Sequence, residues 1–115
     1  MSKNVISVFS DGGSRGNPGH SAVGAIIKIE GEIWEVSKYI GIGTNNQAEY
    51  QAVVEGLALL EAHEINGAKI QWFLDSELVV KQLNGEYKIK DTQLAHKASF
   101  IRSKIEALEL NVTFQ

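Results

Sequence analysis

NNQAEYQAVVEGLALLEAHEINGAKIQWFLD, residues 45–75, decides the fold. Its first part carries apolar side chains at Val53, Leu57 and Leu60, widened by Ala48, Ala52 and Leu59. That is one stripe of a helix running from Asn45 or Asn46 to Glu64. An asparagine at 45 or 46 reads as its cap, and Asn66-Gly67 closes it. Lys69 to Leu74 then reads as a strand, interrupted by Asp75. A helix between two strands of one sheet makes those strands parallel, because the chain must cross back over the sheet before it pairs again.

Towards the N-terminus, Val5-Ile6-Ser7-Val8-Phe9 is β-branched and apolar, a first strand ending at the turn signal Asp11-Gly12-Gly13. Ser14 to Gly19 holds Gly16, Asn17-Pro18 and Gly19 and reads as a loop. Ser21–Ile29 and Ile33–Ile40 are two further strands, separated at hairpin spacing by Glu30-Gly31-Glu32. In such a meander strand three runs parallel to strand one, and the crossover makes strand four parallel to both. Strands one and four therefore end at the same edge of the sheet, where the long helix begins. Beyond Asp75, Ser76 caps a short helix to Leu83 that Asn84-Gly85 stops. Asp91 caps a helix from Thr92 to about Leu108, and Val112-Thr113-Phe114 is a last strand. The expected class is α/β: a five-stranded mixed sheet, three strands antiparallel and two parallel, with helices on its faces, in a single domain over residues 1–115.

Composition narrows the function. At 115 residues the chain is one domain long, and 43% apolar residues can supply a core. Cysteine is absent, which excludes disulfides, thiolate zinc sites and cysteine nucleophiles and fits a reducing compartment. Lys3 followed by a five-residue apolar run does not read as a secretory signal, and no apolar stretch approaches the roughly 20 residues of a membrane span. A cytoplasmic location is expected. The net charge of −3 argues mildly against a nucleic-acid ligand, but it conceals a split: residues 81–104 carry +4 and the remainder −7. Such a segment is either a phosphate-facing patch or a solvated helix face, and charge alone does not separate the two.

The topology brings three carboxylates to one place. Asp11 follows strand one and Asp75 follows strand four. Glu49, in the first turn of the long helix, continues the core-facing series through Val53, Leu57 and Leu60. Singly, Asp11 reads as a turn former, Asp75 as a helix-start residue and Glu49 as a surface acid. Together they repel one another, so either some of them hold protons or a cation neutralises them. An oxygen-only donor set favours Mg²⁺ or Mn²⁺, and carboxylates gathering two such ions suit in-line phosphodiester hydrolysis. Gly12-Gly13-Ser14-Arg15-Gly16 lacks the Gly-Lys-Ser/Thr of a P-loop, and His20, His63 and His96 sit in no nucleophile context.

Asp11-Gly12-Gly13-Ser14 with Gly16-Asn17-Pro18-Gly19, then Thr44-Asn45-Asn46-Gln47-Ala48-Glu49-Tyr50, then Asp75-Ser76-Glu77-Leu78-Val79-Val80 with Gly85-Glu86-Tyr87-Lys88 follow in order. Together they resemble the type 1 ribonuclease H family, across essentially the whole chain. The resemblance implies a metal-dependent endonuclease that hydrolyses the RNA strand of RNA–DNA hybrids. It implies Asp11, Glu49 and Asp75 as metal ligands, with Asp11 bridging two ions. Asn17, Asn45, Asn46 and backbone groups near Gly12 would line the RNA strand, where amides suit a 2′-hydroxyl. Thr44 and Asn46 resemble the family's DNA-phosphate pocket, and Lys88 and Lys90 stand in for a reduced basic protrusion. The sequence departs from the family pattern in one respect: no fourth acid on a C-terminal helix, and no loop histidine before it, follows Phe114-Gln115. The ion that activates the attacking water is then expected to bind weakly, and part of the sheet face to be left apolar and open to a partner or to self-association. The alternative reading is a non-catalytic or weakly active hybrid-binding module that needs a partner to complete its site.

Overall fold

The computed structural model describes residues 5–115, so Lys3 lies outside the described residues. Five strands, β1 (Val5–Arg15), β2 (Gly19–Ile29), β3 (Glu32–Gly43), β4 (Lys69–Phe73) and β5 (Asn111–Phe114), form one sheet in the order β3-β2-β1-β4-β5. β1–β2 and β2–β3 are antiparallel; β1–β4 and β4–β5 are parallel. The mixed sheet expected from the meander and the crossover is the one observed. Helices α1 (Asn45–Ala62), α2 (Glu77–Leu83) and α3 (Thr92–Ala107) supply the rest.

Alternation along each strand decides which face is covered. Ile6, Val8, Ile27, Ile70 and Trp72 point to the helical side and pack with Val53, Leu57 and Leu60 of α1, Val79 of α2 and Ile101 of α3. Trp72 is fully buried, and its Nε1 donates to Ser10 Oγ at 2.8 Å, which satisfies the one polar atom the ring takes into the core. Gly56 of α1 lies against that ring; a Cβ there would come within 2.7 Å of the indole. The described helices share this face. The opposite face is open: Phe9 stacks on Phe73 with centroids 4.9 Å apart, and Val5, Ile26 and Ile33 are exposed on the same side.

Several local expectations need correction. Asp11-Gly12-Gly13 does not turn: β1 runs on to Arg15, with Asp11 opposite Gly24 and Arg15 opposite His20. β2 is long enough to keep pairing past the glycines, so the reversal falls at Gly16-Asn17-Pro18, and Ser14, Arg15 and Gly19 belong to strands. The β2–β3 turn is two residues, Glu30 and Gly31, both at positive φ, as a tight hairpin matching the sheet's twist requires. Neither Asn45 nor Asn46 caps α1. Thr44 does: its hydroxyl accepts from Gln47 N, while Gln47 Oε1 accepts from Thr44 N. Asn66-Gly67 does not end α1 either. Glu64 takes the left-handed position, with Glu64 N donating to Glu61 O and Ile65 N to Leu60 O. α2 and α3 begin at Ser76 and Asp91 as read from the sequence.

Candidate active site

Phe9 and Phe73 are the last paired residues of β1 and β4. Asp11 and Asp75 each stand two residues further on, and they line one cavity of about 530 Å³ with Ser37 and the Phe9–Phe73 stack. Glu49 lies behind it, buried against the sheet at 8% exposure. One contact fixes it: Gly12 N donates to Glu49 Oε1 at 3.2 Å. Gly12 permits this approach, because a Cβ there would fall on the Ala48 carbonyl and within 2.8 Å of Glu49 N. The amide of Gly12 is thereby committed to Glu49.

Electrostatics tie the three acids together. The carboxyl of Glu49 is pushed up to about 7, chiefly by burial, further by the charges of Asp11 and Asp75, and against the pull of the Gly12 amide. None of the ion pairs among the described residues involves these acids. Nor do any three acidic or imidazole side chains among the described residues converge on one ion-sized point. The donor set still suits a hard divalent cation: oxygen only, two acids exposed on one cavity, and a third that burial and like charge leave short of positive charge.

A pH dependence follows. In the unfolded chain Glu49 loses its proton near pH 4.5, whereas in the folded protein it keeps it to about pH 7. A carboxyl raised on folding opposes folding above its unfolded value, so the cost grows from about pH 4.5 to 7 and is constant beyond. In chelator at pH 8 it amounts to about 3 kcal/mol. Glu49→Gln removes it: urea titrations from pH 5 to 8 are expected to show wild-type stability falling and the variant's nearly flat. Parallel curves would refute this.

A second cavity, of about 650 Å³, gathers Asn17, Thr44, Asn45, Asn46, Lys88 and Lys90 with Gln47, Gln82, Asp91 and Leu94. It joins the β1–β2 turn to the start of α1. Asn45 N donates to Asn17 Oδ1 at 3.0 Å, and Asn45 Oδ1 accepts from Ser14 N at 2.9 Å and from Ser14 Oγ at 3.2 Å. Both amide oxygens accept hydrogen bonds within the protein, which leaves the NH₂ groups of Asn17 and Asn45 as the donor ends of these side chains. The basic segment is not one patch. Lys81 pairs with Glu86 and Lys104 with Glu61, Lys97 donates to Gln51, and Arg102 donates to the Gln82 carbonyl. Lys88 and Lys90 are the two lysines of that segment on the cavity. The sequence reading overlooked Gln47 and Ser14; Thr44-x-x-Gln47 is a capping-box pattern that points to the first.

The sequence matches the RNase H family over residues 3–113. The chain belongs to that family. Ribonuclease HI of Halobacterium salinarum is 40% identical over 95 residues, which are 80% of this chain and 46% of that protein. The bifunctional protein Rv2228c of Mycobacterium tuberculosis is 36% identical over 92 residues, 77% of this chain and 25% of that one. This RNase H family member thus spans less than half the length of these two relatives. Among solved structures, LC11-RNase H1 in complex with an RNA/DNA hybrid superimposes with a TM-score of 0.87 at 34% identity, covering 96% of this chain and 84% of that one. LC11-RNase H1 isolated from compost by a metagenomic approach gives 0.89 at 37% identity. No helix among the described residues is long and apolar enough to cross a membrane.

Proposed function

We propose that this chain hydrolyses the RNA strand of RNA–DNA hybrids with the help of Mg²⁺ or Mn²⁺, held by Asp11, Glu49 and Asp75. The observation that carries the reading is the Glu49 carboxyl, held at Gly12 and raised chiefly by its burial and further by the charges of Asp11 and Asp75. Held by these carboxylates, a divalent ion would supply a lowered pKa for an attacking water and charge stabilisation for the departing oxygen. The protein's own groups do the rest. Gly12 aims Glu49. The donor faces of Asn17 and Asn45 suit 2′-hydroxyl or other oxygen acceptors on an RNA strand. Thr44, Asn46, Lys88 and Lys90 suit backbone phosphate, Thr44 and Asn46 at the start of α1, where the helix dipole favours an anion. The hybrid bound by LC11-RNase H1, a protein of 34% identity, supports the same substrate here. The absence of cysteine fits a cytoplasmic setting.

The test is cleavage of a labelled hybrid against double-stranded RNA of the same sequence, across Mg²⁺ and Mn²⁺ titrations. Hybrid-selective, metal-dependent cleavage is expected. Either ion is also expected to raise the melting temperature, by mass action on the folded state. Tight hybrid binding without turnover at any metal concentration would favour a binding module instead.

A further inference from the structure

The open face of the sheet carries a second cluster of ligand-binding chemistry. Along β1, Asp11, Gly13 and Arg15 alternate outward on the same exposed side. Arg15 is about 13 Å beyond Asp11 at the strand rise, a few nucleotides along a duplex strand with one phosphate per about 3.4 Å of axis. Opposite Arg15 stands His20, and opposite Gly13 stands Ala22, which in turn faces Tyr39 of β3. His20 Nδ1 and Tyr39 Oη are 2.9 Å apart, with the rings tilted at 5.9 Å. Tyr39 is 62% exposed, far more than a ring kept for packing needs. Arg15, His20 and Tyr39 share a cavity of about 500 Å³ with Gly13 and Asn45, and Asn45 also lines the cavity of Lys88 and Lys90. Between this cluster and Asp11 the floor is Gly13, Ala22 and Gly24. None of these three described residues carries a side chain longer than a methyl.

We propose that Arg15, His20 and Tyr39 form an outlying subsite for a backbone phosphate of the strand that crosses Asp11. The proposal rests on the hybrid-cleaving reading and extends it to residues beyond the three motifs' acids and amides. Arg15 supplies a planar fork of N–H donors suited to phosphate oxygens. Nδ1 of His20 is paired with the Tyr39 hydroxyl, which leaves Nε2 as the ring nitrogen available to a phosphate oxygen. Tyr39 is a positioning residue for that imidazole. Asn45 links the subsite to the amide donors at the α1 start, so one strand can contact both.

Arg15→Ala is expected to raise KM for a long hybrid roughly fivefold or more, with the loss on KM and not on kcat. It should also reduce the slope of log affinity against log salt by about one, the signature of one lost phosphate contact. Arg15→Lys should recover the slope but not the full affinity. Tyr39→Phe should raise KM by a smaller factor without changing the slope. Hybrids trimmed stepwise at each end in turn should erase the difference between wild type and Arg15→Ala from one end only. Unchanged KM and salt slope in Arg15→Ala, beside a wild type that binds and cleaves the hybrid, would overturn the subsite and leave the proposed function standing. A wild type that neither binds nor cleaves it would overturn both.

Discussion

Asp11→Asn is expected to lower the rate of hybrid cleavage roughly a thousandfold or more, and Asp75→Asn to do the same. The asparagine keeps the shape of the side chain and removes the charge. Asp11 and Asp75 are exposed on one cavity and take no part in the core, so neither substitution disturbs packing. What is lost is the attraction that holds a divalent ion, worth several kcal/mol of charge stabilisation, and each 1.36 kcal/mol is tenfold in rate. The same change relieves Glu49 of one neighbouring charge. Metal-free Asp11→Asn should therefore be no less stable than wild type at pH 8, and slightly more so, while the melting-point rise on adding Mg²⁺ or Mn²⁺ shrinks. Loss of activity with loss of folding would be a different result, and circular dichroism separates the two. Full metal-dependent cleavage in both variants would remove these acids from the chemistry.

Gly12→Ala should be among the most damaging single methyl additions in the molecule. The new carbon would fall on the Ala48 carbonyl and within 2.8 Å of Glu49 N, both backbone groups near the start of α1. No rotamer relieves that overlap; the helix start must move away from β1. Overpacking of this kind typically costs 1–3 kcal/mol, more where backbone must shift, and a loss of about 3 kcal/mol in chemical denaturation is expected. Activity should fall as well, since the shift breaks the Gly12–Glu49 contact that aims the carboxylate. Gly13→Ala is the matched control: a Cβ there meets nothing within 4 Å, and stability should change by less than about 1 kcal/mol. Equal stability for the two variants would show that the close approach at Gly12 does not matter.

The sheet order and the meeting of Asp11 and Asp75 at one edge were legible in the sequence because they follow from connectivity. A meander and one crossover allow few arrangements, and in each of them strands one and four end together. Glu49 was legible because it continues a stripe that must face the core. Local geometry was harder. Asp11-Gly12-Gly13 has turn composition, yet pairing with β2 along Gly24, Val23 and Ala22 outweighs it. Thr44 was passed over as a cap because two asparagines, equally good cap formers, follow it; Gln47, three residues on, decides in favour of the threonine. Glu64 and Glu109 hold left-handed positions that composition assigns to glycine or asparagine, since the Leu60 and Ile105 carbonyls still gain their partners there. Arg15 and His20 flank one turn, but Tyr39 lies far from both in sequence, and only the β2–β3 register brings it onto their patch.

The stitch between Ser14, Asn17 and Asn45 has a thermodynamic corollary. Side chains that must be immobilised when a ligand arrives lose rotational freedom, at about 0.5–1.5 kcal/mol each. Here folding has already removed that freedom, because the turn and the helix start hold each other's amides in place. Under the proposed function, a nucleic acid would then meet a rigid template, and discrimination between duplexes would rest on how well their grooves and sugars fit it.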